Sequence, residues 1–332
     1  MSRPTLDPAG FFRRIPLEPH QLVERITPAK DIIVLCHLGV PRLSADSWSL
    51  TIDGLVSRPS RLSFEDLLRY PKHRVTSFHQ CAGSPLAPRE PTRRITNVRW
   101  AGARLVDVLE GCGVSPDAKY LWSSGVDHGE FGGVAVDSYV KDLPIERLHA
   151  DVLIAYELND AALPAENGFP ARLVVPGFYG TNSVKWLSRI TLEKARAPGP
   201  FTTRWYNDPV LDAAGRDTGT TTPVWAIAPE SVIVSPAPGA VLERGVEHRI
   251  SGWAWADAGI SKVDIVTGEG ETCLSADVET RVGRGWQGFT ASWRPASSGA
   301  VSLYSLAHSS GGHKQPLAGW RNAAHHVAVT VA

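Results

Sequence analysis

Four cysteines are the first residues with chemistry to offer. Cys36, Cys81, Cys112 and Cys273 lie far apart with no C-x-x-C pair, which indicates neither a disulfide framework nor a local zinc knuckle, so reduced thiols are expected. Cys81 is the best placed of them. The run Arg74-Val75-Thr76-Ser77-Phe78 reads as a strand, and Cys81-Ala82-Gly83 follows it, so the thiol stands on a turn whose small neighbours leave room at sulfur for a bulky group. A lone cysteine is by default a small buried hydrophobe, and this placement needs company before it means chemistry. Cys36, His37, His79 and Cys81 together supply two thiolates and two imidazoles, suitable ligands for zinc or copper if the fold unites pairs so distant in sequence. There is no C-x-x-C-H haem attachment, no G-x-S-x-G elbow and no H-E-x-x-H pair. Hydrolase and metalloprotease chemistry therefore has no starting point, and any electrons produced leave through a separate partner. Gly283-Arg284-Gly285-Trp286-Gln287-Gly288 spells G-x-G-x-x-G, but a strand follows it where a dinucleotide site needs a helix amino terminus; it reads as a turn.

The elements that must position these residues come in two textures. The 332 residues, 43% of them hydrophobic, favour two domains over one. Residues 47–56 alternate apolar with polar side chains before a glycine turn, as a half-buried strand does. Ser63 then caps a helix through Phe64-Glu65-Asp66-Leu67-Leu68 that Pro71 stops. Short helices are expected over Arg104 to Gly111 and Pro144 to His149, and strands at 120–123, 151–156 and 171–176. Helices and strands mixed without a regular βαβ rhythm predict an α+β first domain. From about Pro229 onward, short strands at 231–234, 247–255, 262–267, 289–293, 301–307 and 326–331 recur between turn signals and predict an all-β, immunoglobulin-like sandwich. Its tryptophans (Trp253, Trp255, Trp286, Trp293 and Trp320) read as core and interface, and it holds no convergent set of acids, histidines or cysteines. The boundaries predicted are 1–205, an irregular connector at 206–228, and 229–332.

Charge is balanced, 34 basic against 34 acidic residues, so no overall field draws nucleic acid or an anionic membrane. No run approaches the ~20 apolar residues of a bilayer span. Arg13-Arg14 is followed by Ile15-Pro16-Leu17-Glu18-Pro19 in place of a continuous apolar segment, so no export signal is read and a cytoplasmic protein is expected.

Asn97-Val98-Arg99-Trp100-Ala101-Gly102, Asp151 to Asp160, Asn167-Gly168-Phe169-Pro170-Ala171-Arg172 with Leu173 to Gly177, and Gly180-Thr181-Asn182-Ser183-Val184-Lys185-Trp186-Leu187 follow Cys81-Ala82-Gly83 in order. In order and spacing, these blocks resemble the molybdopterin-binding domain of the sulfite oxidase family, and the β-rich tail resembles that family's dimerisation domain. The resemblance implies a molybdenum-molybdopterin cofactor (Moco) with Cys81 as the metal's thiolate ligand, which suits a soft redox metal. It implies that Arg172, Ser183, Val184 and Lys185 line the cofactor; a guanidinium, an ammonium and backbone N–H groups at a turn suit its phosphate. Cys36-His37 falls in a cofactor-contacting loop, Asp127-His128 approaches the pterin from another, Asn167 stands at a further cofactor position, and Trp100 borders the substrate pocket. Tyr206 aligns with an active-site tyrosine near the metal's oxo group, positioned to hydrogen-bond it or move a proton. The implied reaction is oxygen-atom transfer: a substrate lone pair attacks an oxo ligand of oxidised molybdenum, the metal takes two electrons, and these pass singly to an external acceptor such as a cytochrome. A homodimer is implied as well.

The pattern departs from the family where an anionic substrate would be gripped by guanidinium groups. Leu35 and Leu86 stand where arginines are expected, and Asn167 replaces a histidine. Arg89, Arg93 and Arg94 are near in sequence as replacements. Sulfite is thus the default substrate, with a less charged sulfur compound or another oxo acceptor as alternatives, because leucine walls would leave an anion unpaired. The departures also leave open a degenerate scaffold without turnover.

Overall fold

The hydrophobic alternation over residues 47–56 becomes the strand Ser49–Gly54, whose Leu50 and Ile52 are fully buried while their neighbours face outward. The computed structural model describes residues 3–14, 17–84, 93–212, 214–268 and 272–332. Leu86 and Arg89 fall outside the described residues. By internal contacts the chain divides into two compact units, one made of Met1–Ile15, Ile33–Val75 and Arg99–Trp225, the other of Pro16–Ile32, Thr76–Val98 and Ala226–Ala332.

In the first unit a five-stranded sheet runs in the order Val140–Pro144, Tyr120–Gly125, Leu187–Glu193, Ser49–Gly54, Ser60–Ser63. Leu187–Glu193 and Ser49–Gly54 are parallel, with Ile190 opposite Ile52, and both side chains are fully buried. Gly54 closes the turn at φ +82°, and a Cβ there would lie 2.3 Å from the Leu192 carbonyl oxygen, so no larger residue fits. The helix Phe64–Leu68 starts as expected: Ser63 Oγ accepts from the Asp66 N–H at 3.1 Å, and the Asp66 carboxylate accepts from the Ser63 N–H at 3.0 Å. Leu105–Glu110 is the second helix, while the third expected one is only a 3-10 turn at Ile145–Arg147. Among the described residues α-helix is confined to these two and Pro200–Thr203, so this unit is more β than the α+β expectation. Strand Arg172–Val174 pairs with Leu153–Leu158, which also pairs with Ile95–Arg104 through Leu158 opposite Trp100.

Residues 206–228, expected as an irregular connector, instead form a hairpin, Asn207–Leu211 against Asp217–Pro223. The second of these strands is solvent-exposed on both faces until Pro223, so no period-2 hydrophobic signal marks it and only its threonines favour a strand.

The second unit carries two sheets. One runs Glu230–Ser235, His248–Trp255, Gln287–Trp293, Asp277–Val278; the other runs Val241–Leu242, His326–Val331, Gly299–Ser309, Ile260–Thr267, Thr272–Ser275. Ile233, Ile250 and Phe289 from the first pack in one core with Val263, Ile265, Leu303 and Val327 from the second, the two-layer solution for half-apolar strands. All six strands expected here are present. The segments 16–32 and 76–98, expected in the first domain, join this unit, because strand periodicity reports burial but not which sheet does the burying. Trp253 and Trp286 stack at 5.0 Å and hold the early segment, Trp253 Nε1 donating to the Leu22 carbonyl and Trp286 Nε1 to that of Arg25 at 3.1 Å. The G-x-G-x-x-G run is a turn whose Arg284 bridges to Ser77.

Candidate cofactor site

Two side-chain clusters carry the chemistry, one in each unit. In the first unit, strand Arg172–Val174 and the turn before Leu187–Glu193 bring two cations together. Arg172 is buried, donating to the Asn167 carbonyl at 2.9 Å and the Ser183 carbonyl at 2.7 Å, and its guanidinium lies 5.0 Å from the Trp100 ring centre. Lys185 Nζ donates to the Glu166 carbonyl at 2.8 Å, the Leu35 carbonyl at 2.9 Å and the Cys36 sulfur at 3.2 Å. Burial pulls Arg172 down to about 10 and lowers Lys185 as well, with the Cys36 sulfur opposing both shifts. Between them sits Gly168 at φ +110°, where a Cβ would lie 3.0 Å from Arg172 Cβ and 3.2 Å from Lys185 Cβ. Ser183 Oγ accepts from the Val175 N–H at 3.0 Å, and the Val184 carbonyl accepts from Leu173.

Asp127 is the acid of this cluster. Burial pushes it up to about 7, against the pull of its own backbone N–H and of Lys185, and a Cβ on Gly125 would stand 2.4 Å from its Oδ1. His128 turns its Nδ1 to the Val126 carbonyl at 3.2 Å. His37 hydrogen-bonds the Tyr206 hydroxyl through Nε2 within a shell of Phe131, Tyr139 and Phe201, whose ring centres lie 4.7, 5.4 and 5.4 Å away. Burial first, then Lys185 and Lys141, hold it down to about 3, so it is a neutral imidazole at any ordinary pH. Lys141, which the sequence did not mark, is itself buried, donates to the Phe201 carbonyl at 2.8 Å and is lowered to about 8 by desolvation. Its strand Val140–Pro144 buries Lys141, Asp142 and Leu143 in succession, so no period-2 pattern pointed to a lysine facing inward. The cluster thus gathers Cys36, His37, Asp127, Asn167, Arg172, Ser183, Val184 and Lys185, with Trp100 on Arg172 and Tyr206 on His37.

In the second unit, the strand Lys72–Gln80 ends directly before Cys81. The Cys81 N–H donates to the Arg94 carbonyl at 2.9 Å, and the Arg94 N–H donates to Ser84 Oγ. Burial pushes the Cys81 thiol up. The Gly83 N–H at 3.4 Å and the positive charges of Arg94 and Arg321 act the other way and favour thiolate. Arg93 points elsewhere: fully buried, it pairs with Glu230 at 2.8 Å. Arg321 had no sequence signal, lying 240 residues after Cys81 in a tail that reads as structural.

These sets fit the molybdenum cofactor. Arg172 is buried among backbone carbonyls, and Lys185 among carbonyls and the Cys36 sulfur with Asp127 near it, so the two cations are only partly compensated by the chain and suit a phosphate. Gly168 keeps open the space between them. Cys81 offers a sulfur flanked by N–H donors, which stabilise its thiolate as a metal ligand does. A zinc or copper site of Cys36, His37, His79 and Cys81 finds no such support. Cys36 faces Lys185 and His37 faces Tyr206, and among the described residues no three His, Cys, Asp or Glu side chains form a group able to hold a metal ion.

Comparison with known proteins agrees. Residues 37–201 match the family model of the oxidoreductase molybdopterin binding domain. The chain is 33% identical to mitochondrial sulfite oxidase of Rattus norvegicus over 282 residues, covering 79% of this chain and 51% of that protein. It is 33% identical to sulfite oxidase of Gallus gallus over 291 residues, covering 80% and 62%. The chain thus spans about half the length of the curated relatives it matches. Among solved structures, the sulfane dehydrogenase SoxCD from Paracoccus pantotrophus superposes with a TM-score of 0.78 at 29% identity, over 92% of this chain and 82% of that one.

Proposed function

The chain belongs to the sulfite oxidase family of molybdopterin-binding oxidoreductases, and we propose that it oxidises an anionic sulfur compound by oxygen-atom transfer, with electrons leaving to an external acceptor such as a cytochrome. The observation that carries the substrate class is the pair of cations at Cys81. Leu35 and Leu86 withhold two expected arginines, but Arg94 and Arg321 both put positive charge at Cys81. A sulfur oxyanion or a sulfur chain ending in one suits two guanidinium groups, which grip several oxygens at once.

In this reading Cys81 is the molybdenum ligand, and Arg172, Lys185, Ser183 and the Val184 backbone hold the phosphate end of the cofactor. When bound, the cofactor supplies the two-electron redox change and the transferable oxygen. The residues do the rest. Trp100 backs Arg172 and fixes its plane. Gly168 gives the space a side chain would fill. Tyr206 and neutral His37 form a hydroxyl–imidazole pair in which the imidazole stays uncharged and fixes the direction of the Tyr206 hydroxyl. Arg94 binds and orients the substrate anion. The two-sheet part, by its likeness to the family's dimerisation domain, joins two copies of the chain; a monomer by light scattering removes that part.

The test is a dye-linked screen of sulfite and sulfane-sulfur donors against the molybdenum-loaded protein, repeated with Arg94→Met. Loss of a charged hydrogen bond raises KM for the true substrate by about 10–100-fold. An unchanged KM for every anionic donor tested would sink the anion assignment.

A further inference from the structure

Gln80 and Arg93, the residues next to Cys81 and Arg94, are both tied to the two-sheet part of their own unit. Gln80, immediately before the cysteine, is fully buried; its side-chain amide donates to Glu230 Oε2 and its carbonyl accepts from Trp255 Nε1 at 2.9 Å. Arg93 pairs with the other oxygen of the same carboxylate at 2.8 Å and donates to the Ala323 carbonyl at 3.2 Å. The carboxylate of Glu230 therefore bridges the residue before Cys81 and the residue before Arg94. One turn of chain earlier, Arg284 donates its N–H to the Thr76 carbonyl at 2.9 Å and accepts from the Phe78 N–H at 3.2 Å. All the side-chain partners in this bridge are fully buried.

We propose that Glu230, on the strand Glu230–Ser235, is a positioning residue for Cys81: with Trp255 it fixes Gln80 and Arg93 and so sets where the sulfur and the Arg94 guanidinium point. The two-sheet part then acts in the chemistry of the cysteine and is more than a docking face. The argument is geometric. A buried ion pair is a poor means of gaining stability, because desolvating both partners offsets most of their attraction. A carboxylate whose two oxygens are taken by Gln80 and Arg93 is a good means of fixing the residues next to Cys81 and Arg94. Groups one step behind a metal ligand orient it in this way.

The proposal rests on the reading of Cys81 as the metal ligand, and the experiment separates the two. The molybdenum-loaded chain is compared with Cys81→Ser, Glu230→Gln, Trp255→Phe, and the double variant Arg93→Met with Glu230→Met. The readouts are the sulfur-to-molybdenum charge-transfer absorption, the molybdenum–sulfur distance by X-ray absorption, and turnover. Asp142→Asn, which breaks the Arg196 pair in the other unit, controls for lost stability alone. Glu230→Gln and Trp255→Phe are expected to shift or split the charge-transfer band and to lower kcat about tenfold, with KM rising in Glu230→Gln, where Arg94 moves with Arg93, and little changed in Trp255→Phe, which touches only Gln80. The double variant recovers stability but not the band, whereas the control loses stability and keeps it. If Cys81→Ser retains the band, the ligand reading itself has failed. If Cys81→Ser abolishes it while Trp255→Phe, Glu230→Gln and the double variant leave its position and kcat unmoved, the ligand stands and the positioning role is overturned. Trp255→Phe removes one donor and little volume, so it carries the test even if Glu230→Gln does not fold.

Discussion

The cluster around Arg172 and Lys185 and the bridge around Glu230 solve the same electrostatic problem in opposite ways. Both bury cations. In the first, Arg172 is satisfied by backbone carbonyls and Lys185 by carbonyls and the Cys36 sulfur, with no ion pair to the nearby Asp127, which burial pushes up to about 7; positive charge is left for a ligand to neutralise. In the second, Arg93 faces an acid of the chain itself, Glu230, which burial pushes up to about 7 against the pull of Arg93 and Gln80. A cation dressed in carbonyls is a site waiting for an anion, whereas a cation paired with an acid is a clamp. Losing one side of each should therefore have different consequences.

The largest effect is expected at the clamp. Glu230→Gln leaves Arg93 charged, buried and without its carboxylate, and removal of one partner of such a pair destabilises by about 3–5 kcal/mol. Urea unfolding of the full chain measures this. Arg93→Met with Glu230→Met should recover most of the loss, since neither charge is then buried. A double variant as unstable as the single one would show that Glu230 matters for something other than charge.

Next comes the waiting cation. Arg172→Met removes a guanidinium that nothing acidic neutralises, and relief from burying it offsets the two lost hydrogen bonds, so the cofactor-free chain should change by no more than about 1 kcal/mol. Its cofactor should be held about 10–100-fold less tightly, the equivalent of one charged hydrogen bond, measured as molybdenum per chain after dialysis. Destabilisation of the cofactor-free chain as large as that of Glu230→Gln would erase the distinction between site and clamp.

The same contrast explains what was legible in the sequence. Asn167, Gly168, Arg172, Ser183 and Lys185 lie within 19 consecutive residues, and strand, turn and strand of that length bring their backbones together by local geometry. The resemblance of these blocks to the family's is what grouped them. The bridge draws on Gln80, Arg93, Glu230, Trp255 and Ala323, which only sheet packing unites, and nothing in a strand's alternation tells which glutamate faces an arginine 137 positions away. Glu230 lies on a strand whose Val232 and Ile233 announce the core, and its own burial runs against the pattern. The exposed hairpin at 207–223 and the inward Lys141 escaped for the converse reason, since each lacks or breaks the apolar period.

A smaller effect probes the room the waiting site keeps. Gly168→Ala meets both a φ of +110° and Cβ atoms of Arg172 and Lys185 at 3.0 and 3.2 Å, so a loss of about 1–3 kcal/mol is expected. Thermal melts read it, and molybdenum content should fall with it. An alanine that melts normally but binds no cofactor would sharpen the case that the glycine serves the ligand more than the fold.

The least visible effect is in pH, because two groups of the waiting site titrate in opposite directions. His37 has a folded value of about 3, below its ordinary 6.5. The unfolded chain therefore binds the extra proton between those values, and stability from this group falls as pH drops below 6.5. Asp127 has a folded value of about 7, above its ordinary 3.8. The folded chain holds that proton, and stability from this group is full below 3.8 and is lost as pH rises toward 7. Each slope is at most about 1.4 kcal/mol per pH unit, and between 3.8 and 6.5 they oppose one another and nearly cancel. His37→Gln should uncover the Asp127 slope, making the cofactor-free chain less stable as pH rises through that window relative to the parent. Asp127→Asn should uncover the reverse. Urea midpoints at pH 4.5, 5.5 and 6.5 decide it: parallel profiles for both variants would mean that neither group is buried with the charge state assigned to it, and the waiting site would lose its electrostatic basis.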